Sequence, residues 1–164
     1  MNELLAKISS YNVFNYLLPG VLFAFLGESF TSYSFIKNNL LEGAFFYYFF
    51  GLVISRFGSL IVAPILKLIL RIKYAPYKEF ISASKKDNKL DILSEQNNVY
   101  RTLCSLLIAL IIMKGYEQIA NSYEIIKNMT PYIILICLLL LFIFSYKKQT
   151  KLIVERVEVN NHNP

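Results

Sequence analysis

From Leu41 to Leu70 the chain runs on apolar residues, with charge only at Glu42, Arg56 and Lys67. As a helix rising ~1.5 Å per residue this stretch measures ~45 Å, more than the ~30 Å hydrocarbon core of a bilayer, so it must tilt or project beyond it. Three further apolar blocks accompany it. The first, Val13 to Phe30, contains VFNYLLPGVLFAFLG and ends near Glu28. Another has a continuous core of Leu103 to Met113 and must take in Tyr100 and Gly115 to Ile119 to span. The last, Tyr132 to Ser145, extends outward through Ile125 to Met129 or thins the bilayer. With 55% apolar residues and a mean hydropathy of +0.45, a water-soluble fold is not expected. The expected fold is an all-α integral membrane protein with spans at approximately 13–33, 41–70, 100–119 and 129–146.

Basic residues flanking spans accumulate on the cytoplasmic side. Lys67, Arg71, Lys73, Lys78, Lys85, Lys86, Lys89 and Arg101 surround the central connection. Lys147, Lys148, Lys151 and Arg156 lie in the tail, and Lys7 precedes span one. Only Lys37, Lys114 and Lys127 fall in the other two loops. Both termini are therefore expected in the cytoplasm, which requires an even number of spans. Tyr33, Phe35 and Phe45 to Phe50 mark the outer interface, and Tyr11, Tyr74, Tyr77, Tyr100 and Tyr146 the inner one. The net charge of +6 is then explained by topology and anionic headgroups rather than by nucleic acid. The N-terminal block lacks an A-x-A-like site and is expected to be retained. Before it, Leu4, Leu5 and Ile8 within Asn2 to Ser10 fit a short interfacial helix.

The connection over 71–101 reads as a cytoplasmic hairpin of two short helices. Pro76 begins the first, Phe80, Ile81 and Ser84 continue it, and Asp87-Asn88 forms the turn. Asp87, Asp91 and Glu95, at i, i+4 and i+8, would share a helix face, as solvated charges rather than metal ligands. The tail is 147–164, and its end, Asn160 to Pro164 including His162, reads as disordered.

In span two, Gly51, Ser55, Ser59 and Ala63 recur every four residues and make a small-residue stripe for close helix packing. Packing within one bundle, a subunit interface and a pore lining all remain open for it. Arg56 lies ~22 Å down a ~30 Å core, within snorkelling reach of the inner interface; an ion pair or a ring of charge in an oligomer are the alternatives. Glu28, ~24 Å from the inner side, is too far from Arg56, ~8 Å from it, to pair, and is placed at the outer mouth. Asn15 adds a polar group near the inner end, and Gly20, Ala24 and Gly27 a second small face. Asn15, Glu28, Ser55, Arg56 and Ser59 are the pore or gate candidates; helix capping and packing would explain them equally. Cys104 and Cys137 are read as small packing residues. No catalytic residues, metal ligands or cofactor are expected, because no His-Cys cluster, nucleophile elbow, P-loop or H-E-x-x-H pattern occurs.

The plan of four spans, an LLPG near the start of span one, and a charged hairpin ending in Asn97-Asn98-Val99-Tyr100-Arg101 resembles compact membrane effectors of bacterial anti-phage defence, the Hailong type in particular. That resemblance implies an oligomeric, ion-conducting protein of the bacterial inner membrane, restrained by short DNA oligomers or nucleotides from a nucleotidyltransferase partner. The ligand surface would then be Lys78, Lys85, Lys86, Lys89 and Arg101, with Tyr74, Tyr77 and Tyr100 for base stacking. From the residues alone, a non-conducting anchor or assembly subunit is the other reading.

Overall fold

A computed structural model gives the fold and describes residues 13–162. The interfacial helix expected over Asn2 to Ser10, with Tyr11 and Asn12, lies outside them, as do Asn163 and Pro164. All regular structure among the described residues is helical. Helix α1 starts with a π-wound turn, Val13–Leu17, and continues as α-helix over Leu18–Phe30. Helix α2 comprises Leu40–Phe57, a π-wound turn Gly58–Val62, and Ala63–Ile69. Helix α3 is Tyr77–Ser84, α4 is Lys89–Ser122 and α5 is Glu124–His162. Three of these, α2, α4 and α5, are long and apolar enough to cross a membrane.

Local signals set the boundaries. The Asn39 side chain caps α2 by accepting from the Leu41 and Glu42 N–H groups at 2.9 and 3.5 Å, and Glu42 adds negative charge to the first turn. At the other end of α2, Arg71 takes the left-handed conformation, φ 53°, that closes many helices. Pro76 directly precedes α3, and the Asp87 carboxylate accepts the Lys89 N–H at 2.9 Å where α4 begins. An extended residue, Tyr123, separates α4 from α5, and its carbonyl accepts the Ile126 and Lys127 N–H groups. Tyr116 and Thr130 hydroxyls meet at 2.7 Å across that corner.

The two π-wound turns share a cause. Each ends two residues before a proline, Pro19 in α1 and Pro64 in α2. Proline has no N–H and crowds the preceding turn, so the helix widens there before resuming its ordinary pitch. Pro19-Gly20 thus stands at the start of the regular part of α1.

The core lies between α1, α2 and α4, where Phe23, Ile54, Leu106 and Leu110 are buried together. Phe35, from the loop joining α1 to α2, inserts its ring against Phe23 and Phe50 at centroid distances of 5.7 and 5.6 Å. Helix α5 leans on this bundle through Phe142 against Phe49 and through Lys148, but its most apolar stretch is not buried at all.

Three expectations are corrected. The connection is not a hairpin of two separate short helices: α3 forms, but the second arm is the unbroken N-terminal part of α4. No proline interrupts Lys89–Ser122, and Glu95-Gln96 favour helix. Asp87 precedes α4, so it shares no helix with Asp91 and Glu95; it serves the turn instead. The end of the chain is not disordered through His162, because α5 continues to that residue, with Val159 buried.

Candidate functional site

The bundle interior has three levels. At one end, buried Asn15, Ser55, Thr102 and Ser105 place polar groups between α1, α2 and α4. The Thr102 and Ser105 hydroxyls donate back to the Asn98 and Arg101 carbonyls at 2.8 and 2.6 Å, satisfying themselves within α4. The apolar core forms the middle. At the other end the Glu117 carboxylate, buried, accepts from the Ser32 N–H at 2.6 Å, from the Ser32 hydroxyl, and from Lys114 Nζ at 2.7 Å. This cluster ties the α1–α2 loop to α4.

Glycines set the helix spacing. A Cβ on Gly20 would overlap the Tyr47 carbonyl, and one on Gly51 the Tyr16 carbonyl, so α1 and α2 touch backbone to backbone. Farther along α2, a Cβ on Gly58 would collide with the Ser105 hydroxyl of α4.

The small-residue stripe is split by the second π-wound turn. Gly51 and Ser55 are buried inside the bundle, but the buried positions then continue at Gly58 and Val62 rather than at Ser59 and Ala63. A π-wound turn takes an extra residue, which rotates the packing face by one position. Ser59 is thereby turned toward α5. The Ala63 N–H bonds to the Gly58 carbonyl instead of the Ser59 carbonyl, and Pro64 has no N–H to offer. Lys148 of α5 fills the gap: its ammonium donates to the Ser59 carbonyl at 2.7 Å and the Ser59 hydroxyl at 2.8 Å.

Around that contact, Arg56, Ser59 and Leu60 of α2 and Ser145, Lys148, Gln149 and Leu152 of α5 line one cleft. Arg56 reaches the Tyr16 hydroxyl of α1 at 3.5 Å. Two cations from two helices, Arg56 and Lys148, therefore line one cleft at this end.

Glu28 does not meet Arg56. Its carboxylate accepts the Phe35 and Ile36 N–H groups at 2.9 and 2.8 Å and orders the loop beyond α1. Of the hairpin cations, Lys78 and Lys86 line a common cleft with Glu158 of α5. Lys78 pairs with Glu158 of α5 at 2.8 Å, Lys85 and Lys86 sit exposed after α3, and Lys89 opens α4. Arg101 lies twelve residues on, ~18 Å farther along the axis of α4. Cys104 and Cys137 are exposed free thiols, and among the described residues no metal-ligating group of three forms.

Sequence reasoning missed Lys148, Ser145 and Gln149, although Ser145, Lys148, Gln149 and Leu152 recur at i, i+3, i+4 and i+7, the spacing of one helix face. It also missed Glu117 and Ser32, whose partnership across the fold leaves no local trace. Comparison with family models, with curated proteins and with solved structures finds no match for this chain.

Proposed function

We propose that the chain spans the bacterial inner membrane four times, with α1 as the span additional to α2, α4 and α5 and with both termini in the cytoplasm. In this reading it assembles with its own copies into an ion-conducting pore that depolarises the membrane as an anti-phage effector. Its gate responds to a phosphate-rich ligand, such as a short DNA oligomer or nucleotide made by a nucleotidyltransferase partner.

The observation that carries this reading is the cationic cleft of Arg56, Ser59 and Lys148 on the α5 side of the bundle. Polar and cationic groups at membrane depth are costly and face water, protein or ligand. The bare apolar surface of α5 supports assembly with other copies. Because Phe23, Ile54, Leu106 and Leu110 fill the middle of the single-chain bundle, the conducting path runs between copies rather than through one.

The same bare surface of α5 favours a second reading, a non-conducting anchor or assembly subunit that holds partner helices there. Gly51 and Ser55 are already engaged within the chain, which leaves α5 rather than the glycine stripe as the holding surface.

A potential-sensitive dye distinguishes the two in cells expressing the wild type or Arg56→Ala, each alone and with the nucleotidyltransferase. Depolarisation by the wild type that Arg56→Ala alters is the expected result. Unchanged potential in every combination, with protein present in the membrane, overturns the pore and leaves the anchor.

A further inference from the structure

We infer that the cleft between α2 and α5 is a phosphate-binding site, in which Arg56 and Lys148 hold the anion and Ser59, Ser145 and Gln149 surround it. It is distinct from the hairpin surface, and it holds whether or not the chain conducts ions.

The first argument is charge. Arg56 of α2 and Lys148 of α5 line the same cleft, although like charges brought together at the edge of an apolar bundle repel. Among the described residues no carboxylate stands within ion-pairing distance of Arg56 or Lys148. Elsewhere the fold does supply partners, Glu158 for Lys78 and Glu117 for Lys114. Two cations that line one cleft with no described carboxylate beside them suit an anion from outside.

The second argument is donor geometry. A guanidinium carries five N–H donors in a planar fork suited to phosphate, and the hydrogen bond from Arg56 to a protein group is the long one to Tyr16. Lys148 is oriented by its two bonds to Ser59, and its ammonium carries a third N–H donor beyond them. The lone pair of Ser59 that Pro64 cannot serve therefore acts as a positioning device: it holds an ammonium next to Arg56.

The third argument is the rim. Leu60 and Leu152 border the cleft, and both helices continue from it into apolar stretches. A phosphate on a lipid headgroup fits that border, since its acyl chains would lie along α2 and α5; basic pockets between membrane helices bind anionic headgroups in this way. A free phosphate or a nucleotide phosphate has the same head chemistry without needing the apolar rim.

The test uses the purified full chain in detergent, with phosphatidylglycerol and inorganic phosphate as separate probes. Retained lipid is counted by native mass spectrometry and phosphate by equilibrium dialysis. Arg56→Gln and Lys148→Gln are expected to weaken binding about tenfold each, the scale of one charge-assisted hydrogen bond. Lys148→Arg, which keeps charge and donors, and Lys147→Gln, which removes an equal charge outside the cleft, are expected to bind as the wild type does. Retention of phosphatidylglycerol alone assigns the site to lipid, and saturable phosphate binding lost in the same variants assigns it to a soluble ligand. The proposal is overturned if neither probe binds, or if Lys147→Gln weakens binding as much as Lys148→Gln.

Discussion

Gly20 of α1 and Gly51 of α2 lie at a crossing where each helix touches the other's main chain: a Cβ on Gly20 would enter the Tyr47 carbonyl and come within 3.0 Å of the Gly51 nitrogen. Backbone cannot move aside as a side chain can. Alanine at either position must separate the helices, and the loss spreads to Phe23 and Ile54 one turn away. Gly20→Ala and Gly51→Ala should each destabilise by ~1–3 kcal/mol, and the double variant by less than the sum, because the first already opens the crossing. Gly115, with nothing near its Cβ, should accept alanine without loss. Thermal unfolding of the four variants in one detergent checks the ranking.

A second relationship joins Pro64, Ser59 and Lys148. Lys148 serves the carbonyl that the π-wound turn and Pro64 leave without a backbone donor. Lys148→Met should cost ~1 kcal/mol, the net value of such a bond at a partly wet site. In a Pro64→Ala background the restored N–H competes for the same carbonyl, and the cost of Lys148→Met should shrink. Equal costs in both backgrounds, by chemical unfolding, would show that Lys148 acts independently of the turn.

How far the fold was legible follows from where each signal lives. The apolar stretches of α2 and α5 are compositional and could be read directly, as could the start of α3 at Pro76. The glycine stripe was legible as far as Ser55. Past that point the reading slipped by one position, because the extra residue in Gly58–Val62 is a response to Pro64 that four-residue counting does not anticipate. The length of α4 was missed because Glu95 to Asn98 look like a polar loop, whereas only a breaker would end a helix there. The cationic cleft was half legible: Arg56 stood out against an apolar stretch, but Lys148 resembled any tail lysine until the fold brought α5 beside α2.

At the far end, Glu117 gathers the Ser32 N–H, the Ser32 hydroxyl and the Lys114 ammonium onto one carboxylate. Glu117→Ala removes all three partners and should free the segment from Thr31 to Asn39, with amide exchange there faster by one to two orders of magnitude. Glu117→Gln keeps an acceptor and should show a smaller rise. Lys114→Met leaves both Ser32 contacts and should change exchange least. If the three variants exchange alike, the loop is held by Phe35 in the core and by Glu28 at its backbone, not by this cluster.

The contact of α3 with the end of α5 combines an exposed ion pair, Lys78 with Glu158, and two buried aliphatic groups, Ile81 and Val159. The hydrogen bond to the Glu158 carboxylate, and then its charge, raise the Lys78 pKa above its ordinary value of 10.5. A raised pKa means that the pair contributes fully below that ordinary value and loses its contribution as pH rises through the raised one. Docking of α3 should therefore be flat from pH 7 to pH 9 and weaken only in strong alkali, a loss absent in Lys78→Gln. Exposure and salt make the pair the lesser partner. Ile81, only 4% exposed, is the greater one, and Ile81→Ala should cost ~2–4 kcal/mol wherever α3 is folded onto α5. Spin labels on Ser82 and Glu155 report the distance between the two helices: broadening at neutral pH in Ile81→Ala but not in Lys78→Gln is the expected pattern. The reverse would make the ion pair, and hence pH and salt, the control of α3.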